Sequence, residues 1–260
     1  MQVKFQKSGK YFGLTSSREQ EYCIDYAMNI FKGDGEIVET GPFLGSLTKA
    51  IASGLLKRYR LLPDKFIHVY DSWICYDWFF DFSEWMQENK IDTSCCKKET
   101  DSFFPIFKEQ MGWLFPMVKV YDDITTCVRF DKDIEFLVVD AMKSWELANA
   151  ILSKFYTKLI VGSYVFHQDF KFHQCPWIHL IQWRLNDYFE IVANIPDSIE
   201  GTSHTVVFKN IKKIPDELLL RRYACNDFKR DDIISAYSFW SKMVPHKLID
   251  RAKEEMLTVK

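Results

Sequence analysis

The chain has 260 residues, 47% hydrophobic and 27% charged, with a net charge of −2, enough for one filled core, or one domain with additions. So even a charge gives no general reason to bind nucleic acid or an anionic membrane, and no run approaches the roughly 20 apolar residues needed to cross a bilayer. The opening "MQVKFQKSGKYFG" lacks the apolar middle of a signal peptide, and the seven cysteines include no CxxC pair, so reduced thiols and a cytoplasmic location are expected.

Ser16 begins an S-x-x-E capping box closed by Glu19, which predicts a helix through about Phe31. Lys32-Gly33-Asp34-Gly35 breaks it. "EIVET" (36–40) reads as a buried strand ending at Gly41, and helical spacing follows from Ser46 to about Leu56, with Gly54 near its end. "FIHVYD" (66–71) is a second strand. Residues 72–99 are irregular or short-helical and rich in aromatics. "DSFFPIFKEQM" (101–111) predicts a helix interrupted by Pro105, and "MVKVYDD" (117–123) a third strand. "IEFLVVDA" (134–141) is a fourth, the most apolar to that point, and "WELANAILSKFY" (145–156) its helix. "SYVFHQD" (163–169) is a fifth strand, and "PWIHLIQWRLNDYF" (176–189) a helix with Pro176 at its start. "FEIVANI" and "HTVVFKN" form a terminal hairpin.

Strands alternating with helices predict an α/β fold, a Rossmann-like seven-stranded, mostly parallel sheet with helices on both faces. The antiparallel hairpin lies at one edge. Residues 1–215 form the α/β domain, with 72–99 as an aromatic lid or insertion, and 216–260 a C-terminal helical extension.

In such a sheet ligands bind at the carboxyl ends of the strands, which directs attention to "GEIVETGPFLGSLTKAI" (35–51). Its glycines fit neither G-x-G-x-x-G nor G-K-[ST]. Glu39, just before the first glycine, would repel a pyrophosphate. A strand-to-helix turn with no ligand is the bland reading of the same residues.

The E-x-G-x-x-x-G of Glu39, Gly41 and Gly45 resembles motif I of the class I S-adenosylmethionine-dependent methyltransferases, and the resemblance covers about residues 16 to 210 in element order. It implies S-adenosylmethionine as cofactor, held by Glu39, Thr40, Gly41, Gly45 and Ser46. Asp71, ending the second strand, would accept the ribose hydroxyls, and Asp122 would lie by the adenine amine. A Rossmann dehydrogenase shares the acid after the second strand, and a solvated turn explains Asp122 equally well.

"FLVVDAMKSWE" carries Asp140 and, three residues on, Lys143. With "GSYVFHQDF" it looks like the site of metal-dependent O-methyltransferases of the catechol type and of the macrolide and aminocoumarin sugar type. That likeness implies Asp140, Gln168 and Asp169 as ligands of Mg2+ and Lys143 as general base, with Asp140 also catalytic through the metal. A divalent cation would lower the pKa of an acceptor hydroxyl and hold it in place. Two departures stand out: Gln168 is a neutral ligand, and Met142 replaces a second acid. A metal-free variant would use His167 as base.

"DSWICYDWFFDFSEWM" (71–86) has three tryptophans among acids and reads as a lid over substrate, or as a satellite core or dimer contact. Trp73, His173 and Trp177 are the candidate substrate residues; His167, His173 and His179 match no zinc spacing. The expected partner is a small hydroxylated molecule, a sugar or glycosylated metabolite, with neither nucleic acid nor membrane, and a homodimer is the assembly to test. The rival readings are a non-catalytic binding protein on the same fold and an NAD-dependent oxidoreductase.

Overall fold

The computed structural model describes residues 10–59, 67–197 and 203–259. The first nine residues of the opening segment, the start of the expected second strand at Phe66 and Lys260 lie outside them. Seven strands make one mixed sheet in the order β3-β2-β1-β4-β5-β7-β6: β1 Glu36–Thr40, β2 Ile67–Tyr70, β3 Val118–Tyr121, β4 Ile134–Val139, β5 Leu159–His167, β6 Phe189–Asn194 and β7 Val206–Asn210. The fold class is the one expected, α/β with a mostly parallel sheet and a terminal antiparallel hairpin. The described chain groups into two compact units, one holding the segment through Phe31 and Gly41–Asp123, the other Lys32–Thr40, Ile124–Pro196 and the chain from Ser203 onward. No described helix is long and apolar enough to cross a membrane.

In the first unit, α1 (Ser17–Asp25) opens with the capping box: Glu19 N–H donates to Ser16 Oγ at 3.3 Å, and Ser16 N–H to Glu19 Oε2 at 2.7 Å. A π-helical turn over Tyr26–Ile30 carries it to Phe31. The next helix, α2 (Ser46–Tyr59), runs past the expected Leu56. Gly54 is therefore interior to it, and a Cβ there would stand 2.5 Å from the Ile24 carbonyl oxygen; the glycine lets α1 approach. Parallel β2 and β3 pair Ile67 with Val118 through Tyr70 with Tyr121. Between them lie two short helices, α3 (Asp77–Phe80) and α4 (Ser83–Glu88), and then α5 (Phe104–Met111). Pro105 does not interrupt that helix. It sits in the first turn, where a missing N–H breaks no hydrogen bond.

In the second unit, the break at residues 32–35 has a specific partner. The buried Glu135 carboxylate, near the start of β4, accepts backbone N–H groups from Lys32 at 2.5 Å, Gly33 at 2.8 Å, Asp34 at 2.7 Å and Gly35 at 3.3 Å. Gly35 has no room for a side chain, since a Cβ would stand 2.6 Å from Glu135 N. Helix α6 (Trp145–Lys154) starts at its Ser144 cap, whose Oγ accepts from Leu147 N–H at 3.2 Å. Its last residue, Lys154, holds the turn after Asp123 by donating to the carbonyls of Ile124, Thr125 and Cys127 at 2.5–2.8 Å.

Strand β5 begins four residues before the expected Ser163, through a half-exposed stretch containing Gly162. Helix α7 (Pro176–Arg184) follows. In the hairpin the later strand lies inside: β7 pairs antiparallel with both β5 and β6. Burial decides this, because β7 is buried at four of five positions while β6 alternates and tolerates an edge. The chain ends in α8 (Asp216–Leu219), α9 (Arg230–Met243) and α10 (Lys247–Val259). These belong to the second unit, where Trp240 of α9 packs edge-on against Phe170 and Phe208 and donates through Nε1 to the His179 carbonyl at 2.9 Å.

Candidate functional site

The carboxyl ends of β1, β4 and β5 are laced together in the second unit. Asp140 N–H donates to the Thr40 carbonyl at 2.9 Å, and Gln168 N–H to the Val139 carbonyl at 3.0 Å. Thr40 is fully buried and its hydroxyl turns back to the Val138 carbonyl at 3.3 Å. Glu39, one residue earlier, is also buried.

This lacing brings Asp140, Lys143 and Asp169 together. Lys143 Nζ donates to Asp140 Oδ1 at 2.8 Å and to Asp169 Oδ2. The Lys143 side chain is 51% exposed, those of Asp140 and Asp169 22% and 15%, so the carboxylates sit deeper than the lysine that bridges them. Burial raises Asp140 above the ordinary carboxylate range, with Lys143 pulling it back. Cys175, which the sequence did not single out, shares this electrostatic environment: burial pushes its thiol up to about 11, against Lys143 and with Asp140.

Two polar atoms beside the cluster are buried without a partner among the described residues, Gln168 Oε1 and His167 Nδ1. Burial, then His179 and Lys143, pushes His167 down to about 3. So weak a base accepts little proton at neutral pH, and its ring stands edge-on to Phe170 at 5.9 Å. The depressed pKa makes His167 a weaker candidate for the base than Asp140, which burial raises.

The donor set expected for Mg2+ does not fit. Magnesium demands near-octahedral oxygen ligation. Asp140 and Asp169 instead hold the Lys143 ammonium, and Gln168 adds no charge. Among the described residues no group of three or more His, Cys, Asp or Glu side chains is placed to hold a metal.

The other histidine and tryptophan candidates are engaged within the protein. His173 is buried, with Nδ1 3.0 Å from Glu255 Oε2 of α10. Trp177 donates through Nε1 to the Met142 carbonyl at 2.8 Å and leans on Trp145, with ring centroids 6.2 Å apart. Neither contact was visible in the sequence, since each joins residues far apart in the chain.

In the first unit the loop after β1 is anchored by Gly41 N–H donating to the Tyr70 carbonyl at 2.8 Å. Gly41 and Gly45 have φ of 79° and 83°, the left-handed region that glycine adopts without cost. Gly45 serves packing, since a Cβ would stand 2.8 Å from Phe107 Cε2. Phe43 lies buried among Trp78, Phe79, Phe82 and Phe103. Ser46 is buried, and its hydroxyl accepts from Thr15 Oγ1 at 2.8 Å.

Asp71 is half-buried, and its Oδ1 caps the next turn, accepting from Trp73 N–H at 3.2 Å. Trp73, expected at substrate, is 5% exposed, donates through Nε1 to the Tyr121 carbonyl at 2.9 Å, and packs on Phe103, Phe104 and Phe107. A cavity of about 270 Å³ opens beyond β2 and β3, walled by Ser72, Trp73, Ile74, Phe104, Val120 and Asp122. Asp122 itself is exposed.

No protein-family model matches this chain, and no curated protein does. Solved structures do. The O-methyltransferase NovP aligns with a TM-score of 0.53 and 16% identity, over 77% of this chain and 82% of its own. An O-methyltransferase from Bacillus cereus in complex with SAH aligns with a TM-score of 0.50 and 10% identity, over 77% and 83%. At such identities the likeness is one of fold.

Proposed function

We propose that this chain, which has the fold of the class I S-adenosylmethionine-dependent O-methyltransferases, moves a methyl group from that cofactor to an oxygen of a small hydroxylated substrate, a sugar or glycosylated metabolite. The observation that carries the proposal is the Asp140–Lys143–Asp169 cluster at the carboxyl ends of β4 and β5, where sheets of this kind do their chemistry. The O-methyltransferase fold of the neighbours, one of them solved with SAH, supports the cofactor.

The cofactor supplies a methyl group on a positively charged sulfur. For it the first unit offers Gly41 and Gly45, Asp71 at the end of β2, and the cavity by Asp122, whose polar edge and apolar walls suit a nucleobase. Ser46, in the same unit, contributes through its place in the loop, since its hydroxyl is already bonded to Thr15.

An acceptor hydroxyl must lose its proton as it attacks. Asp140, made more basic by burial, takes that proton on a carboxylate oxygen, and the Lys143 ammonium steadies the oxygen as negative charge grows. The O–H bond breaks, the O–CH3 bond forms, and the sulfur keeps the electrons of its broken S–CH3 bond. Asp169 holds Lys143 from the other side. Gln168 Oε1, buried and unpartnered, is an acceptor for a second hydroxyl of the substrate.

The test is cofactor turnover to S-adenosylhomocysteine across a panel of hydroxylated compounds. Asp140→Asn should lower kcat about 10²- to 10⁴-fold while leaving cofactor affinity unchanged. Cofactor binding with no turnover on any acceptor would favour a binding protein, the reading that the neutral Gln168 and the side chain of Met142 support. Failure to bind the cofactor would end the proposal.

A further inference from the structure

We infer that the Lys143 ammonium is the site's own cation: it takes the place between Asp140 and Asp169 that a divalent metal would fill, and the protein needs no metal there. The charge balance favours this. Asp140 and Asp169 bring two negative charges to the carboxyl ends of β4 and β5. One tethered positive charge, bonded to both, neutralises half of that and leaves the cluster at −1.

A metal would have to displace Lys143 from both partners and then find further protein oxygens. Among the described residues Gln168 Oε1 is a buried neutral side-chain oxygen without a partner in this cluster. Met142 offers none, because its side chain is buried and its carbonyl accepts from Trp177 Nε1. Magnesium gives up its water reluctantly and is usually held through one or two carboxylates together with substrate phosphates. Here both carboxylates are engaged, and the acceptor proposed above is a hydroxyl.

Tethering also changes what the cation can do. An ammonium donates hydrogen bonds along its N–H directions, so it can orient a hydroxyl oxygen without binding both of a vicinal pair, as a metal would. Lys143 therefore positions one hydroxyl oxygen, and a second hydroxyl of the substrate is left to Gln168 Oε1. What the cation does for the substrate rests on the proposed O-methyl transfer. Whether the ammonium excludes a metal does not.

The experiment reads metal alone. Mn2+ is titrated into the purified full chain, without cofactor or substrate, and free ion is followed by electron paramagnetic resonance. The wild type should show no saturable binding up to about 1 mM. Lys143→Met, which frees both carboxylates, should bind Mn2+ at least about tenfold more tightly, a change of 1.4 kcal/mol. Lys143→Arg, which keeps the charge, should behave as the wild type, and Asp140→Asn added to Lys143→Met should abolish the gain.

Saturable wild-type binding below about 1 mM that Asp140→Asn removes would overturn the inference, and so would equal binding by the wild type and Lys143→Met. If Lys143→Met does not fold, as judged by circular dichroism, the wild type and Lys143→Arg decide alone: saturable binding to either that depends on Asp140 overturns the inference, and its absence in both supports it.

Discussion

Replacing Trp73 separates two roles that its position after Asp71 leaves equally open, a wall of the substrate site or a beam of the fold. Its contacts favour a beam, although one edge also walls the cavity by Asp122. Its indole is 5% exposed, Nε1 donates to the Tyr121 carbonyl at 2.9 Å, and three phenylalanine rings lie within 4.9–5.7 Å of it, centre to centre. Truncating a core tryptophan costs about 3–5 kcal/mol, cavity included, of which the Nε1 bond is about 1 kcal/mol. At about 2–4 °C per kcal/mol for a chain of this size, Trp73→Ala should lower Tm by about 6–20 °C. Trp73→Phe keeps a ring and loses the indole bond and part of the filling, and should lower it by only a few degrees. The φ of 58° at this residue is common to both variants and cancels between them. Thermal unfolding followed by tryptophan fluorescence and circular dichroism reads the effect, with turnover measured well below each Tm. A fall in Tm under about 3 °C for Trp73→Ala, together with collapsed turnover, would refute the structural reading and return the residue to the substrate.

Two further perturbations address the cofactor and the buried imidazoles. Asp71→Ala removes a carboxylate proposed to accept the ribose hydroxyls. At about 1.5–3 kcal/mol for a hydrogen bond to a charged group, S-adenosylhomocysteine affinity by calorimetry should fall about 10- to 150-fold, and unchanged affinity would take Asp71 out of the site. Stability should also fall in mild acid. Burial holds His167 down to about 3 and His179 to about 4, against 6.5 in an open chain. Below that value the unfolded chain binds protons that the native one refuses, so stability is full above about pH 6.5 and declines as pH falls from there toward 4 and then 3. At pH 5 each histidine removes about 2 kcal/mol, while Asp140, raised by burial, works in the opposite direction and trims the sum. Equal urea midpoints at pH 7 and pH 5 would contradict this account.

What could be read without a structure was whatever repeats over short distances. Alternation of apolar strands with amphipathic helices marked all seven strands, and the S-x-x-E box fixed the start of α1. What escaped was set by partners remote in sequence or by local geometry. Pro105 looks like an interruption until Ser102 and Phe103 are seen to form the turn before the helix, with Phe104 N–H donating to Ser102 Oγ at 3.2 Å. Gly33 and Gly35 look like plain breakers, yet they shape a loop around a carboxylate 100 residues on.

The candidate site divides in the same way. Asp140 and Lys143 are three apart, and their pairing follows from one turn of chain; Asp169 joins them only because β5 lies beside β4, in register from Phe136 and Tyr164 to Val139 and His167. The spacing of His173 names no partner for it; the structure supplies Glu255, 82 residues later. The aromatic run at 71–86 left its alternatives open for a different reason. Tryptophans among acids can present their faces to a ligand or bury them, and only the positions of Phe103 and Phe107, on a separate segment, decide that Trp73 turns inward while Trp78 stays 43% exposed. Spacing reports which residues share an element; the chemistry of this cluster depends on which elements share an edge, and the cation role proposed for Lys143 rests on β5 lying beside β4.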